Sequence, residues 1–156
     1  MAAVSRLEHR FLDAGDELND FTQTCAARGV DGAIVAFTGL ARDRAKDGAR
    51  VDELRLDWHP RLTEQSLQRI AQDALDRFPV TAVYVVHRCG CMAPGDTIVF
   101  AAAASPHRRE AFQAADYLMD RLKSEAVFWK HESGPDGGRW IEPTEQDGAA
   151  LARWSD

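Results

Sequence analysis

Between Ser105 and Glu132 the chain places His107, Arg108, Lys123, Lys130 and His131, a set of side chains suited to holding an anion and moving protons. A helical pattern opens at Ser105-Pro106-His107-Arg108-Arg109 and closes on Lys123, and Lys130 follows seven residues later within Phe128-Trp129-Lys130-His131-Glu132. Free backbone N–H groups and the positive dipole end make the first turn of a helix a place for anions. Basic side chains there oppose the dipole, so a bound anion would relieve them. A lysine whose stem lies against Phe128 and Trp129 can have its pKa lowered from about 10.4 toward neutrality, which permits proton transfer or nucleophilic attack. From spacing alone a plainer reading stays open: His107 and Arg108 as a solvated helix start, and Lys123 as a favourable charge on a helix C-terminus. Arg42, with Arg44 and Lys46, lies in a charged loop past a strand end. Loops there often carry ligand-binding residues, although a solvated charge run is the commoner case.

The elements that must position these groups follow from periodicity. Ser5 to Leu12 reads as an edge strand, Ala14 to Ala27 as an amphipathic helix, and Gly32 to Gly39 as an apolar strand bounded by glycines. Leu40 to Arg50 is a loop with an Asp47-Gly48 turn. Val51 to His59 alternates, with Leu54, Leu56 and Trp58 on one face. Thr63 is the expected cap of a helix carrying Leu67, Ile70, Ala71, Ala74, Leu75 and Phe78, which Pro79 ends. Val80 to Val86 and Thr97 to Ala104 are strands joined through Pro94-Gly95-Asp96. Ser105 is the expected N-cap and Pro106 the first residue of a helix burying Ala111, Ala114, Ala115, Leu118 and Leu122. Val127 to Lys130 and Arg139 to Glu142 suit a hairpin, and Gly148 to Trp154 a short final helix. The imperfect alternation of strands and helices predicts an α+β fold on a mainly antiparallel sheet.

A chain of 156 residues suits one domain, with 45% hydrophobic and 28% charged residues as in ordinary soluble proteins. The net charge of −6 argues against a general nucleic-acid binder, while leaving room for a local basic pocket. No apolar run approaches the roughly 20 residues of a membrane span, and the charge-dense Ser5 to Asp20 stretch lacks a secretory pattern. Three cysteines make no disulfide framework, so the expected location is the cytoplasm.

His87-Arg88-Cys89-Gly90-Cys91 has metal-ligand residue types, but in an extended strand its outer two residues lie about 13 Å apart. Zinc ligands must all approach within about 2.3 Å of the ion, so no metal is expected there. Buried, unreactive cysteines are the expectation instead. Gly-rich nucleotide loops, Gly-x-Ser-x-Gly elbows and His-Glu-x-x-His motifs are missing from the sequence, and no cofactor is implied.

An ordered set of short motifs goes further. Asp31-Gly32-Ala33 through Phe37-Thr38-Gly39 with Arg42 is followed by Leu54 to Leu67 around His59-Pro60 and Thr63-Glu64. His87-Arg88-x-Gly90, Pro94-Gly95-Asp96 and Ser105-x-His107-Arg108 come next, then Tyr117-Leu118-x-x-x-Leu122-Lys123, Phe128-Trp129-Lys130-x-Glu132 and Arg139-Trp140-x-Glu142. Together they make the chain, from about Asp31 to Trp154, resemble the MoaE family, the large catalytic subunit of molybdopterin synthase.

The resemblance implies an α/β hammerhead-type domain over residues 1–156 with a small additional sheet, the first 30 residues matching poorly. It implies a sulfurtransferase that converts cyclic pyranopterin monophosphate into molybdopterin. Sulfur would arrive as a thiocarboxylate on the C-terminal Gly-Gly tail of a small ubiquitin-like (MoaD-like) subunit, in a heterotetramer built on a homodimer. Lys123 would be the central catalytic residue and Lys130 its companion. His107 and Arg108 would hold the substrate, the Leu40-Ala41-Arg42 loop would close over it, and Lys130, His131 and Glu132 would line the opposite wall. Thr144 stands where some members place an arginine that reaches the neighbouring protomer's site, a role left to Arg139. The rival expectation is a non-catalytic module that binds a ubiquitin-like tail or a phosphorylated ligand; a further one is an enzyme working without a partner.

Overall fold

The computed structural model describes residues 2–155. Two four-stranded sheets organise it. The first has the order β1 (Ala2–Glu8), β4 (Ala82–Arg88), β6 (Thr97–Ser105), β2 (Ala33–Leu40). Residues Ala101 to Ala104 of β6 are fully buried, which identifies β6 as a strand covered on both faces. Alternation along the sheet then sorts the core. Val83, Val85, Ala101 and Ala103 face α2 (Leu62–Arg77) and α3 (Arg108–Glu125), meeting Leu67, Ile70, Leu118 and Leu122. Ala82, Val86, Phe100 and Ala102 face α1 (Ala14–Arg28) through Phe21 and Cys25. Small alanine side chains on both faces of β6 let the helices approach closely.

The second sheet has the order β5 (Gly90–Met92), β3 (Glu53–Trp58), β7 (Phe128–Gly134), β8 (Gly137–Ile141). Its inner face buries Leu54, Leu56 and Met92 with Ala41. A last helix, α4 (Glu145–Ala152), starts with a capping box in which Thr144 and Asp147 satisfy each other's backbone N–H groups.

The α+β class and mainly antiparallel pairing agree with expectation, while several details differ for physical reasons. The additional sheet is as large in strand number as the first. The N-terminal strand is Ala2–Glu8 rather than Ser5 to Leu12, and it pairs in parallel with β4. Thr63 does not cap α2. The His59 imidazole accepts the Arg61 and Leu62 N–H groups instead, and Thr63 is buried one residue inside the helix. Helix α3 begins at Arg108, because Ser105 finishes β6 and uses its hydroxyl on the His107 N–H and the Pro79 carbonyl. The final helix starts three residues earlier than its composition suggested, and Cys91 is exposed.

His87 shows what became of the tempting His-Cys segment. Its ring is buried, stacks on Phe128 at 4.2 Å between centroids, and sits 2.8 Å from the Arg88 carbonyl. A carbonyl only accepts, so Nδ1 carries the proton and donates it. Burial pushes the imidazole pKa down from 6.5 to about 4. The folded state therefore favours neutral His87: its contribution is fully present above pH 6.5 and is lost as pH falls toward about 4. We predict that the denaturation midpoint falls between pH 7 and pH 4, and that His87→Phe removes about 3 kcal/mol of that loss. Equal pH dependence in both proteins would refute this account.

Candidate active site

Lys130 lies seven positions after Lys123, and the chain must leave a helix and enter a strand between them. Val127 is the pivot. Its carbonyl accepts the Thr63 hydroxyl at 2.7 Å and its N–H donates to the Ser66 hydroxyl at 3.1 Å. Thr63 Oγ1 also accepts the His59 N–H, and the Ser66 hydroxyl donates to the Thr63 carbonyl. Two buried hydroxyls on α2 thus anchor the turn from α3 into β7. Lys123 projects from the last turn of α3, where a cation suits the helix dipole.

Strand alternation decides the rest of β7. Lys130 and Glu132 lie opposite Leu56 and Leu54 and so share the inner face of the second sheet. His131, opposite Arg55, points to the other face, edge-on to Trp140. The expected wall of Lys130, His131 and Glu132 is therefore a wall of Lys130 and Glu132 alone. Lys130 Nζ lies 3.6 Å from Glu132 Oε1, and Glu132 Oε2 is buried without a hydrogen-bond partner.

Desolvation lowers the Lys130 pKa below the ordinary lysine range. Glu132 opposes that shift, and the nearby charges of Lys123 and Arg42 reinforce it. Three cations from a helix end, a strand and a loop therefore share one neighbourhood. The loop follows Leu40, the exposed last residue of β2. Ala41 is buried, donating its N–H to Asp96 and accepting that of Gly95. Ala41 to Lys46, with Pro94 and Gly95, line a hollow of about 650 Å³.

Other expected site residues are not gathered here. Arg139, on the hairpin strand β8, is engaged by Asp47 through two hydrogen bonds of 2.7 and 2.9 Å. His107 and Arg108 stand exposed at the opposite end of α3, about 22 Å from Lys123 at 1.5 Å rise per residue. Thr144 caps α4. Sequence reasoning also passed over Asp147, whose carboxylate is held below the usual range by the Thr144 N–H it accepts, despite some burial, with Lys123 and Lys46 adding to the effect. The Thr144-x-x-Asp147 spacing was its readable signal. Among the described residues no cluster of three or more His, Cys, Asp or Glu side chains is arranged to hold a metal ion.

An α+β fold with a cationic site at the junction of its two sheets defines the class, and the family is shown by similarity: the chain belongs to the MoaE protein family, whose model matches residues 12–125. It is 52% identical over 130 residues to the molybdopterin synthase catalytic subunit of Caulobacter vibrioides, covering 83% of this chain and 85% of that protein. The molybdopterin biosynthesis MoaE protein of Burkholderia ambifaria superposes with a TM-score of 0.80 at 38% identity, over 98% of both chains. A complex of subunits 1 and 2 of the molybdopterin-converting factor from Helicobacter pylori contains the same fold, with a TM-score of 0.72 at 18% identity over 91% of both chains.

The electrostatic coupling predicts opposite shifts for two neighbours of Lys130. Lys123→Gln removes a like charge and raises the Lys130 pKa, whereas Glu132→Gln removes its counter-charge and lowers it. Competitive amine labelling against pH measures both. Shifts of the same sign would contradict the geometry.

Proposed function

We propose that the chain is the catalytic subunit of a molybdopterin synthase, acting as a sulfurtransferase in the cytoplasm and working as one domain across its length. In this reading a small ubiquitin-like subunit delivers sulfur on a C-terminal Gly-Gly thiocarboxylate. Cyclic pyranopterin monophosphate receives two sulfurs as the dithiolene of molybdopterin. Family membership supports the reaction, and the convergence of Lys123, Lys130 and Arg42 in an acidic protein carries the assignment of the site. The two-subunit complex from H. pylori, which contains the same fold, supports a partner subunit.

The chemistry matches those groups. Each thiocarboxylate sulfur bonds to a pterin side-chain carbon as a carbon–oxygen bond there breaks, the oxygen departing as water or on the phosphate. Water then attacks the acyl carbon and the acyl carbon–sulfur bond breaks. Sulfur stays on the pterin and the tail keeps a carboxylate. Negative charge develops on the acyl oxygen during the attack, where the Lys123 ammonium stabilises it. Lys130, whose neutral form is made accessible by burial and by its cationic neighbours, moves the proton. Arg42 pairs with the substrate phosphate, which a guanidinium binds with two parallel hydrogen bonds.

His107 and Arg108 enter this site from a second copy of the chain. β2 is an edge strand whose outer side is unpaired among the described residues; it exposes Phe37 and Leu40, and α3 exposes Phe112. Such an edge invites pairing. Antiparallel pairing of β2 with its copy sets the beginning of one strand beside the end of the other, over about 26 Å for eight residues. The beginning of β2 lies against Pro106, at the start of α3, and its end leads into Arg42. The dimer thus carries His107 and Arg108 of one copy to Lys123 of the other, across a distance one chain alone cannot close. Two small subunits on this homodimer complete a heterotetramer.

Lys123→Ala is expected to lower product formation by more than about 100-fold with its fold intact, and Lys130→Ala by less. A mixture tests the shared site. Lys123→Ala and His107→Ala chains, each inactive alone, recover about a quarter of wild-type activity after subunit exchange, since half the dimers are mixed and each of those has one intact site. The readout is dithiolene formation with a thiocarboxylated partner. No recovery, with mixed dimers demonstrated, would place His107 in its own chain's site or outside the chemistry.

A further inference from the structure

We propose that Asp47 and Arg139 are positioning residues whose ion pair latches the Arg42 loop onto the hairpin that carries Lys130 and Glu132. This rests on the reading of Arg42 as a substrate ligand. The loop is a lever rather than a slack connection. Val51 N–H bonds to Asp43, Ala45 N–H to Ala49, and Arg44 bridges Arg50, so residues 43–51 form a narrow two-stranded arm with its tip at Asp47-Gly48. Its base is tied down by backbone contacts: Ala41 with Asp96 and Gly95, Asp52 with Ser133, and Arg50 packed so closely on Gly134 that any side chain there would collide with the Arg50 carbonyl.

Among the described residues, Arg139 is the side chain that holds the tip, through two parallel hydrogen bonds to both carboxylate oxygens of Asp47. Arg139 lies directly opposite Glu132 across the hairpin, and Glu132 in turn pairs with Lys130. One chain of alternating charge thus runs from loop tip to lysine: Asp47, Arg139, Glu132, Lys130. A hollow of about 330 Å³ lies between arm and hairpin, lined by Asp47, Arg50, Glu132, Gly138 and Arg139. Because the arm is stiff, holding its tip and base fixes where Arg42 and Arg44 stand. Both partners of the latch are roughly half exposed, at 45% and 57%, so salt screens the pair and the arm can release.

Asp47→Asn is the decisive variant. Its side-chain oxygen still accepts the Ala49 N–H that shapes the turn, while the charge-assisted fork is lost. Two readouts apply to wild type, Asp47→Asn, Arg139→Gln and the double variant. Hydrogen exchange at the Ala45, Gly48, Ala49 and Val51 amides speeds up by about two- to five-fold in each single variant, with no further gain in the double. KM for the pterin precursor rises by about the same factor, while kcat stays within two-fold. Added salt reproduces the faster exchange in wild type and leaves Asp47→Asn unchanged. Unchanged exchange in Asp47→Asn overturns the latch. Faster exchange with unchanged KM overturns its positioning role. An inactive wild type would fault the assigned reaction, and the exchange measurement would still judge the latch by itself.

Discussion

Two buried hydroxyls holding both backbone groups of one residue are the constraint on which the candidate site depends. Thr63 and Ser66 engage both backbone groups of Val127, at the point where the chain passes from α3 into β7. Without partners, that partly buried N–H and carbonyl would each carry a desolvation cost and leave the turn free to drift. With them, the end of one element and the start of the next are referenced to α2, whose own inner face is locked into the core by Leu67, Ile70, Ala71 and Ala74. The lysines inherit this rigidity. A long side chain loses much rotamer freedom when placed, so a well-defined backbone beneath it is what makes a precise ammonium position attainable.

The same junction explains the electrostatics. Two ammonium groups and a guanidinium near one another repel, and folding tolerates this because Lys123 reaches water, Glu132 offsets Lys130, and Asp147 lies close to Lys123. Excess positive charge suits an anion. It also keeps Lys130 closer to its neutral form than an ordinary lysine. Binding an anion there would raise the Lys130 pKa again, so anion binding and the protonation of Lys130 are coupled.

Much of the fold was legible because its strongest signals are local. The alternation of Leu54 and Leu56, the helical stripe from Leu67 to Ala74, and the apolar run ending at Ala104 each report burial directly. Errors fell where a long-range partner overrode a local preference. Thr63 resembles a cap, yet its hydroxyl serves Val127, 64 residues away, leaving the cap to the His59 ring. Ser105 resembles a cap too, but its hydroxyl reaches Pro79 and the strand holds it. His131 looked like a neighbour of Lys130 in function because it is one in sequence, and the period of two in a strand sends it to the opposite face.

The candidate groups are legible in the chain itself, because side-chain chemistry and ordered motifs do not depend on the path between them: residue type and spacing single out Lys123, Lys130, Arg42, His107 and Arg108, and the family resemblance supplies their expected roles. Which of these meet was decided by tertiary structure alone. Lys123, Lys130 and Arg42 come within electrostatic reach of one another because hydroxyls on α2 hold the turn into β7 while Gly95 and Asp96 hold the base of the loop. His107 and Arg108 stay a full helix away because α3 is one unbroken helix of 18 residues. Distance through a rigid helix is a geometric fact that no one-dimensional pattern of charges can reveal.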